Sequence, residues 1–279
     1  MDALIFDLDD TLVADEVAAT TAFLRTCLYA QSHYGINLPG FQTIIREVSR
    51  NYWYHSPARD FCVKVGISSW EGLWADFSGN GENLEILRQW APTYRKLTWL
   101  TTLQRFSIND EDFALKLAEK YQSVREELYV VYRDVEPALE SLKGHFKLGL
   151  LTNGVPNLQL RKIAETGLGK YFDAVVVSGD LGIGKPDKRI FEWMLSRLHV
   201  RPDSAMMIGD SLKSDVAGAQ SAGLKAAWLN RLDEEPGEAD APDIVLKNLY
   251  GLRKIVEREI SLASNSIPDP IPDPGSVSR

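Results

Sequence analysis

The sequence predicts an α/β protein, a doubly wound parallel sheet with an α-helical module inserted after its first strand. Three observations predict it. A short apolar run, Ala3 to Phe6, breaks abruptly into Asp7-Leu8-Asp9-Asp10, the pattern of a buried strand whose C-terminal end opens onto polar groups. From about Asp15 to Asp134 the spacing is helical instead, as in Asp112 to Tyr121, where apolar residues recur three to four positions apart. Beyond it, short apolar strands alternate with amphipathic helices, which implies parallel strands joined by right-handed crossovers with helices on both faces.

The later strands are expected at Leu148–Leu151, Ala174–Val177, Ala205–Ile208 and Ala226–Leu229, with a weaker one at Ile244–Leu246. Each is an apolar run of strand length bounded by polar or turn residues. Helices are expected near Leu158–Thr166, Lys188–Leu198 and Ser214–Ala222, and a last one from Leu249 to Ser261. A chain of 279 residues is long for one ordinary domain. It divides into a core of residues 1–14 and 135–261, a cap of residues 15–134 and a Pro-rich tail from 262 to 279. In the tail Ile-Pro-Asp-Pro occurs twice in succession, and alternating prolines exclude a helix or a central strand. An extended polyproline-like or disordered chain is expected from that composition, or a docking segment for a partner or for the cap.

The formal charge of −8 gives no sign of a basic face for a nucleic acid polymer. No apolar run approaches the roughly 20 residues needed to cross a bilayer, and no basic segment precedes an apolar one at the N-terminus. A cytoplasmic protein without a membrane partner is expected, either monomer or homodimer. Cys27 and Cys62 lack metal-ligand spacing and are too few for a disulfide scaffold; buried thiols are expected.

Ligands of such sheets bind outside the carboxyl ends of the strands, so the strand ends are where chemistry belongs. The first delivers Asp7 and Asp9, whose spacing points both side chains the same way on extended chain; alone, the pair reads equally as solvated loop acids. The second ends in Thr152-Asn153-Gly154, a hydroxyl, an amide and turn N–H groups that suit the oxygens of a tetrahedral anion, or simply a turn before a helix. The third leads to Gly182-Ile183-Gly184-Lys185-Pro186-Asp187, a cation beside glycines that admit a ligand, with Pro186 opening the next helix. The fourth gives Gly209-Asp210 and, within the following turn, Asp215. Hard carboxylate ligands suit Mg²⁺, and gathering Asp7, Asp9, Asp210 and Asp215 without a cation would be strongly repulsive.

In these residues the chain resembles the haloacid dehalogenase (HAD) superfamily of phosphohydrolases. The four motifs of that family match Asp7-Leu8-Asp9-Asp10-Thr11, Thr152, Lys185 and Gly209-Asp210 through Asp215, in order. The insertion resembles the helical cap of subfamily I, and the pattern is nearest the N-acylneuraminate-9-phosphatase-like and pyrimidine-nucleotidase-like branches. The resemblance implies a Rossmann-like core and Mg²⁺-dependent hydrolysis of a small phosphorylated metabolite, a sugar phosphate or nucleoside monophosphate. It implies Asp7 as the nucleophile that forms an aspartyl-phosphate, and Asp9 as the acid and then the base. Thr152 and Lys185 would bind and stabilise the phosphoryl oxygens, and Thr11 and Asn153 are further candidate phosphate-binding residues. Mg²⁺ would be held by Asp7, the Asp9 backbone carbonyl and Asp210, with Asp215 nearby or reached through water. Dehalogenases of the family lack an acid two positions after the nucleophile, so Asp9 together with Asp210 favours phosphoryl transfer. The alternative is a HAD-fold binding or assembly protein with vestigial phosphatase activity.

Within the cap, Trp53, Trp70, Trp74, Trp90 and Trp99 fit an aromatic helical core, one or two of them lining the roof of the pocket. Arg46, Arg50, Arg59 and Lys64 are candidates for a second anionic group on the substrate, or solvated helix faces. His33, His55, His145 and His199 fit no motif and are expected to be structural or at the surface. The chain crosses between core and cap near Val13–Glu16 and Tyr132–Pro137, which suits a cap that opens for substrate and closes against water.

Overall fold

A computed structural model describes residues 1–235 and 241–265, without the side chains of 262–265. Strand β1 (Ala3–Phe6) is followed by six helices: α1 (Asp15–Tyr34), α2 (Leu38–Tyr54), α3 (Arg59–Val65), α4 (Ser69–Gly72), α5 (Glu82–Gln104) and α6 (Glu111–Glu126). The chain then runs α7 (Val135–Leu142), β2 (Lys147–Thr152), α8 (Pro156–Thr166), β3 (Ala174–Val177), α9 (Ser178–Leu181), α10 (Lys188–Leu198) and β4 (Ala205–Gly209). A π-helical turn (Leu212–Ala217) leads into α11 (Gly218–Ser221), β5 (Lys225–Leu229), β6 (Ile244–Leu246) and α12 (Leu252–Asn265).

The six strands form one parallel sheet in the order β3-β2-β1-β4-β5-β6. β1 therefore lies between β2 and β4, and their three carboxyl ends are neighbours. The two faces of β1 are both buried, as its unbroken apolar run requires. Leu4 and Phe6 pack with Leu139, Leu150 and Val256 on the side of α7 and α12, while Ala3 and Ile5 pack with Phe191, Met194 and Met207 on the side of α10. This is the doubly wound α/β architecture, with its helical cap inserted between β1 and β2.

The cap has its own core, in which Phe23, Phe41, Trp99 and Tyr121 are fully buried. Trp53 and Trp74 belong to it, and Trp70 and Trp90 pack against it partly buried. Val155 and Leu158, at the start of α8, are part of the same cluster. The cap is thus seated on a helix of the sheet layer through continuous apolar packing.

The strands lie where the apolar runs place them, and three other details differ. The crossing at Tyr132–Pro137 continues into α7; Pro137 sits in its first turn, where its missing N–H breaks no helical bond. Pro186 does not open a helix. The Lys185–Pro186 peptide is cis and α10 begins at Lys188, capped by the Asp187 side chain, which accepts from the Arg189 amide. The last helix starts and ends later than its apolar pattern suggests, at Leu252–Asn265, so the tail after it lies outside the described residues. Cys27 and Cys62 are free and buried, and burial pushes both thiols up to about 12. No described helix is long and apolar enough to cross a membrane.

Because Leu158 is buried where α8 meets the cap core, Leu158→Ala is expected to cost about 2–5 kcal/mol. Urea denaturation followed by tryptophan fluorescence measures it. A loss below about 1 kcal/mol would mean that this seat is not close-packed.

Candidate active site

The central strands carry candidate site residues at or just beyond their carboxyl ends. Asp7 continues β1 by donating its amide to the Ile208 carbonyl of β4 at 3.0 Å. Thr152 ends β2, and Asp210 follows β4 directly. These ends open into a cavity of about 410 Å³. Asp7, Asp9, Thr152, Lys185, Asp210 and Asp215 line its floor, and Ser68, Trp70 and Glu71 of the cap face them.

Lys185 is the central cation. Its Nζ donates to Asp7 Oδ1 at 2.5 Å and to Asp215 Oδ1 at 2.7 Å, and the residue is only 6% exposed. Burial by itself would lower the ammonium's pKa; Asp215 and Asp7 outweigh it and hold Lys185 above the ordinary lysine range. The loop that carries it is clamped by Asn153, whose Nδ2 donates to the Lys185 carbonyl and whose Oδ1 accepts the Lys185 amide, both at 2.9 Å. Asp215 lies over β4, where a Cβ on Gly209 would overlap its carboxylate. Only glycine admits that approach. The other Asp215 oxygen accepts the Ser211 amide.

Asp7, Asp210 and Asp215 each bring a carboxylate oxygen within 4.8 Å of the others. Three carboxylates beside one ammonium leave two negative charges uncompensated, the charge of one divalent cation, and the all-oxygen donor set suits Mg²⁺. Burial first, and the crowding second, show in the acids. Burial raises the Asp7 pKa well above the carboxylate range, with Asp215 and Asp210 adding to it and Lys185 opposing. Burial and then Asp215 push Asp210 up to about 6.

Thr11 takes a different place from the one expected. It is fully buried and does not line the cavity; its Oγ donates to Asp210 Oδ1 at 3.2 Å and accepts the Asp210 amide at 3.1 Å. It orients a candidate metal ligand. Asn153 reaches the cavity, but both ends of its amide are committed to the Lys185 backbone. The Asp9 carboxylate stands apart from the three clustered acids: Lys162 donates to Oδ1 at 2.8 Å and Gln159 to Oδ2 at 2.9 Å.

Of the cap residues considered from sequence, Trp70 does line the roof. Arg46, Arg50, Arg59 and Lys64 do not line the cavity. The Arg46 guanidinium lies over the rings of Trp70 and Phe23, and that of Arg59 over Tyr54. None of the four histidines lines it either. Sequence reasoning missed Gln159, Lys162, Asp15, Arg125 and Glu71. Gln159 and Lys162 fall with Leu158 and Ile163 on the buried side of α8, and polar residues in an apolar stripe are the one signal that marks them.

A family model of haloacid dehalogenase-like hydrolases matches residues 1–223. Phosphoserine phosphatase of Thermus thermophilus is 35% identical over 251 residues, 89% of this chain and 96% of that protein. N-acylneuraminate-9-phosphatase of Homo sapiens is 30% identical over 234 residues, 82% of each. Among solved structures, a 2-haloacid dehalogenase from Pseudomonas syringae pv. Tomato DC3000 aligns with a TM-score of 0.59 at 25% identity, over 93% of this chain and 99% of that one.

Burial pushes the Glu71 carboxyl up to about 7, against the pull of Lys162. In the unfolded chain the same group titrates near ~4.3. Between those values the folded state binds more protons, so this residue's contribution to stability falls as pH rises toward 7. Glu71→Gln is therefore expected to lose less unfolding free energy than wild type between pH 5 and pH 8, measured by urea denaturation at both. Equal losses in the two proteins would overturn that assignment.

Proposed function

The chain belongs to the haloacid dehalogenase-like hydrolases, and on that premise we propose that it is a Mg²⁺-dependent phosphatase acting on a small phosphorylated metabolite through an aspartyl-phosphate on Asp7. The observation that carries this reading is the cluster of Asp7, Lys185 and Asp215, all buried, with half-buried Asp210 at one sheet end, and Asp9 as a fourth carboxylate in the same cavity. In this reading residues 1–14 and 135–261 are the catalytic core and residues 15–134 the cap that closes over it.

Asp7 attacks phosphorus, forming an Asp7 O–P bond as the bond to the ester oxygen breaks. Asp9 gives its proton to that departing oxygen, then takes one from the water that attacks the aspartyl-phosphate, releasing inorganic phosphate and restoring Asp7. In this reading Lys185 and the Thr152 hydroxyl bind the phosphoryl oxygens and stabilise the charge that develops there. Asp7, Asp210 and Asp215, with the Asp9 carbonyl, are the groups that would hold Mg²⁺, whose chemistry when bound is to neutralise charge shared by carboxylate and phosphoryl oxygens.

The kinship with a phosphoserine phosphatase and an N-acylneuraminate-9-phosphatase supports a small phosphate monoester as substrate. A sugar phosphate or nucleoside monophosphate is the class we assign. An acid two residues after the nucleophile supports phosphoryl transfer over halide displacement, since an alkoxide needs a proton and a halide does not.

With 4-nitrophenyl phosphate and Mg²⁺, the wild-type protein is expected to release 4-nitrophenol and to stop when the metal is chelated. Asp7→Asn should lower kcat roughly a thousandfold or more, and Lys185→Met by about 10²–10³. Turnover that survives chelation or Asp7→Asn would sink the mechanism.

A further inference from the structure

Lys162 belongs to none of the groups given a role above, yet it is a lysine only 1% exposed. A buried ammonium is expensive and persists only where its charge is matched. Its partners are specific. The Nζ lies 2.8 Å from Asp9 Oδ1 and 2.8 Å from Asp15 Oδ1. Asp15 is the first residue of α1 and hence of the cap; it also receives Arg125 of α6, at 2.7 Å on Oδ1 and 3.3 Å on its carbonyl. Two cations and two carboxylates balance, and the chain Asp9–Lys162–Asp15–Arg125 runs unbroken from the floor of the cavity into the cap.

The remaining Asp9 oxygen is held by Gln159, one turn earlier on the same helix, which also donates to the Asn153 carbonyl at 2.7 Å. Both oxygens of Asp9 are therefore tied to α8. That helix meets the cap elsewhere too: Val155, just before its first residue, donates its amide to Glu71 at 3.2 Å, and Arg161 pairs with Glu126 at 2.8 Å. One rigid element thus contacts Asp9 on one side and the cap on the other.

We propose that Lys162 is a positioning residue that places the Asp9 carboxyl for proton transfer to the leaving group and ties that placement, through Asp15, to the seating of the cap. Lys162 touches neither phosphate nor leaving group; it acts through Asp9. The assignment rests on the phosphatase reading, in which Asp9 is the proton donor. Its mark is selectivity by leaving group, because a poor leaving group depends on a well-placed acid and a good one much less.

The test compares kcat/KM for phenyl phosphate and 4-nitrophenyl phosphate, esters of similar shape whose leaving groups differ in basicity, with saturating Mg²⁺. Lys162→Met is expected to lower the phenyl-to-4-nitrophenyl ratio by about tenfold or more while KM for each ester stays within about threefold of wild type. Asp15→Asn, which leaves Lys162 and Asp9 in place and weakens the tie to the cap, is expected to lower the same ratio by about threefold. If Lys162→Met cannot be recovered folded, the Asp15→Asn ratio decides. Equal losses on both esters, or an unchanged ratio, overturn the positioning role while leaving a phosphatase; an unchanged ratio in Asp15→Asn alone overturns the tie to the cap. A wild-type protein inactive on both esters overturns the phosphatase reading and this assignment with it.

Discussion

The Lys185 ammonium, held between Asp7 and Asp215, is the interaction on which the rest of the site depends. Without it, three carboxylates would face one another at close range, where like charges repel strongly. One ammonium reduces that repulsion without cancelling it; burial first, and the neighbouring acids after it, keep Asp7 and Asp210 above their ordinary range. Much of the surrounding geometry keeps this pair in register: Asn153 clamps the Lys185 backbone, Gly209 leaves room for Asp215, and Thr11 and Trp228 hold Asp210, the latter by donating its indole N–H to the Asp210 carbonyl at 2.7 Å.

Strand order makes such a cluster possible. Asp7 and Asp210 are far apart in the chain, but β1 and β4 are adjacent and parallel, so their ends coincide. Thr152 arrives from the other neighbour of β1, and Lys185 from beyond β3, next to β2. A parallel sheet with helical crossovers places every strand's carboxyl end at the same edge. The cap enters at that edge because it is inserted directly after β1.

Helix α8 connects these two layers. Its apolar start belongs to the cap core through Val155 and Leu158, while its buried polar residues Gln159 and Lys162 hold Asp9 and Asp15. Burial by itself would lower the Lys162 pKa, yet Asp15 and Asp9 hold it above the ordinary range. Asp15 in turn is kept well below the usual carboxylate range by Lys162 and Arg125, which outweigh its burial. Ion pairs of this kind contribute little net stability when compared with apolar packing. Their value lies in fixing where a carboxylate stands.

The sheet and the strand-end acids were legible because their signals are local. A parallel strand buried on both faces is an unbroken apolar run, and the polar residue that interrupts it marks the strand end; Asp7, Thr152 and Asp210 were found in that way, and the turn after the last of them led to Asp215. Lys162 and Gln159 were marked only by falling in the apolar stripe of α8, and their partners were not legible. A lysine in an amphipathic helix ordinarily faces water, and whether it is buried depends on Asp15 and Arg125, which belong to distant helices of the cap. For the same reason Arg46 and Arg59 could be read as substrate contacts until packing set them over aromatic rings, and Thr11 as a phosphate ligand until its hydroxyl was found against Asp210. Sequence by itself determined the α/β class and the acids at the strand ends, because periodicity and breaks in it act over a few residues. Only the tertiary structure decided which charges meet, because a charge is buried or solvated according to what packs against it from elsewhere in the chain.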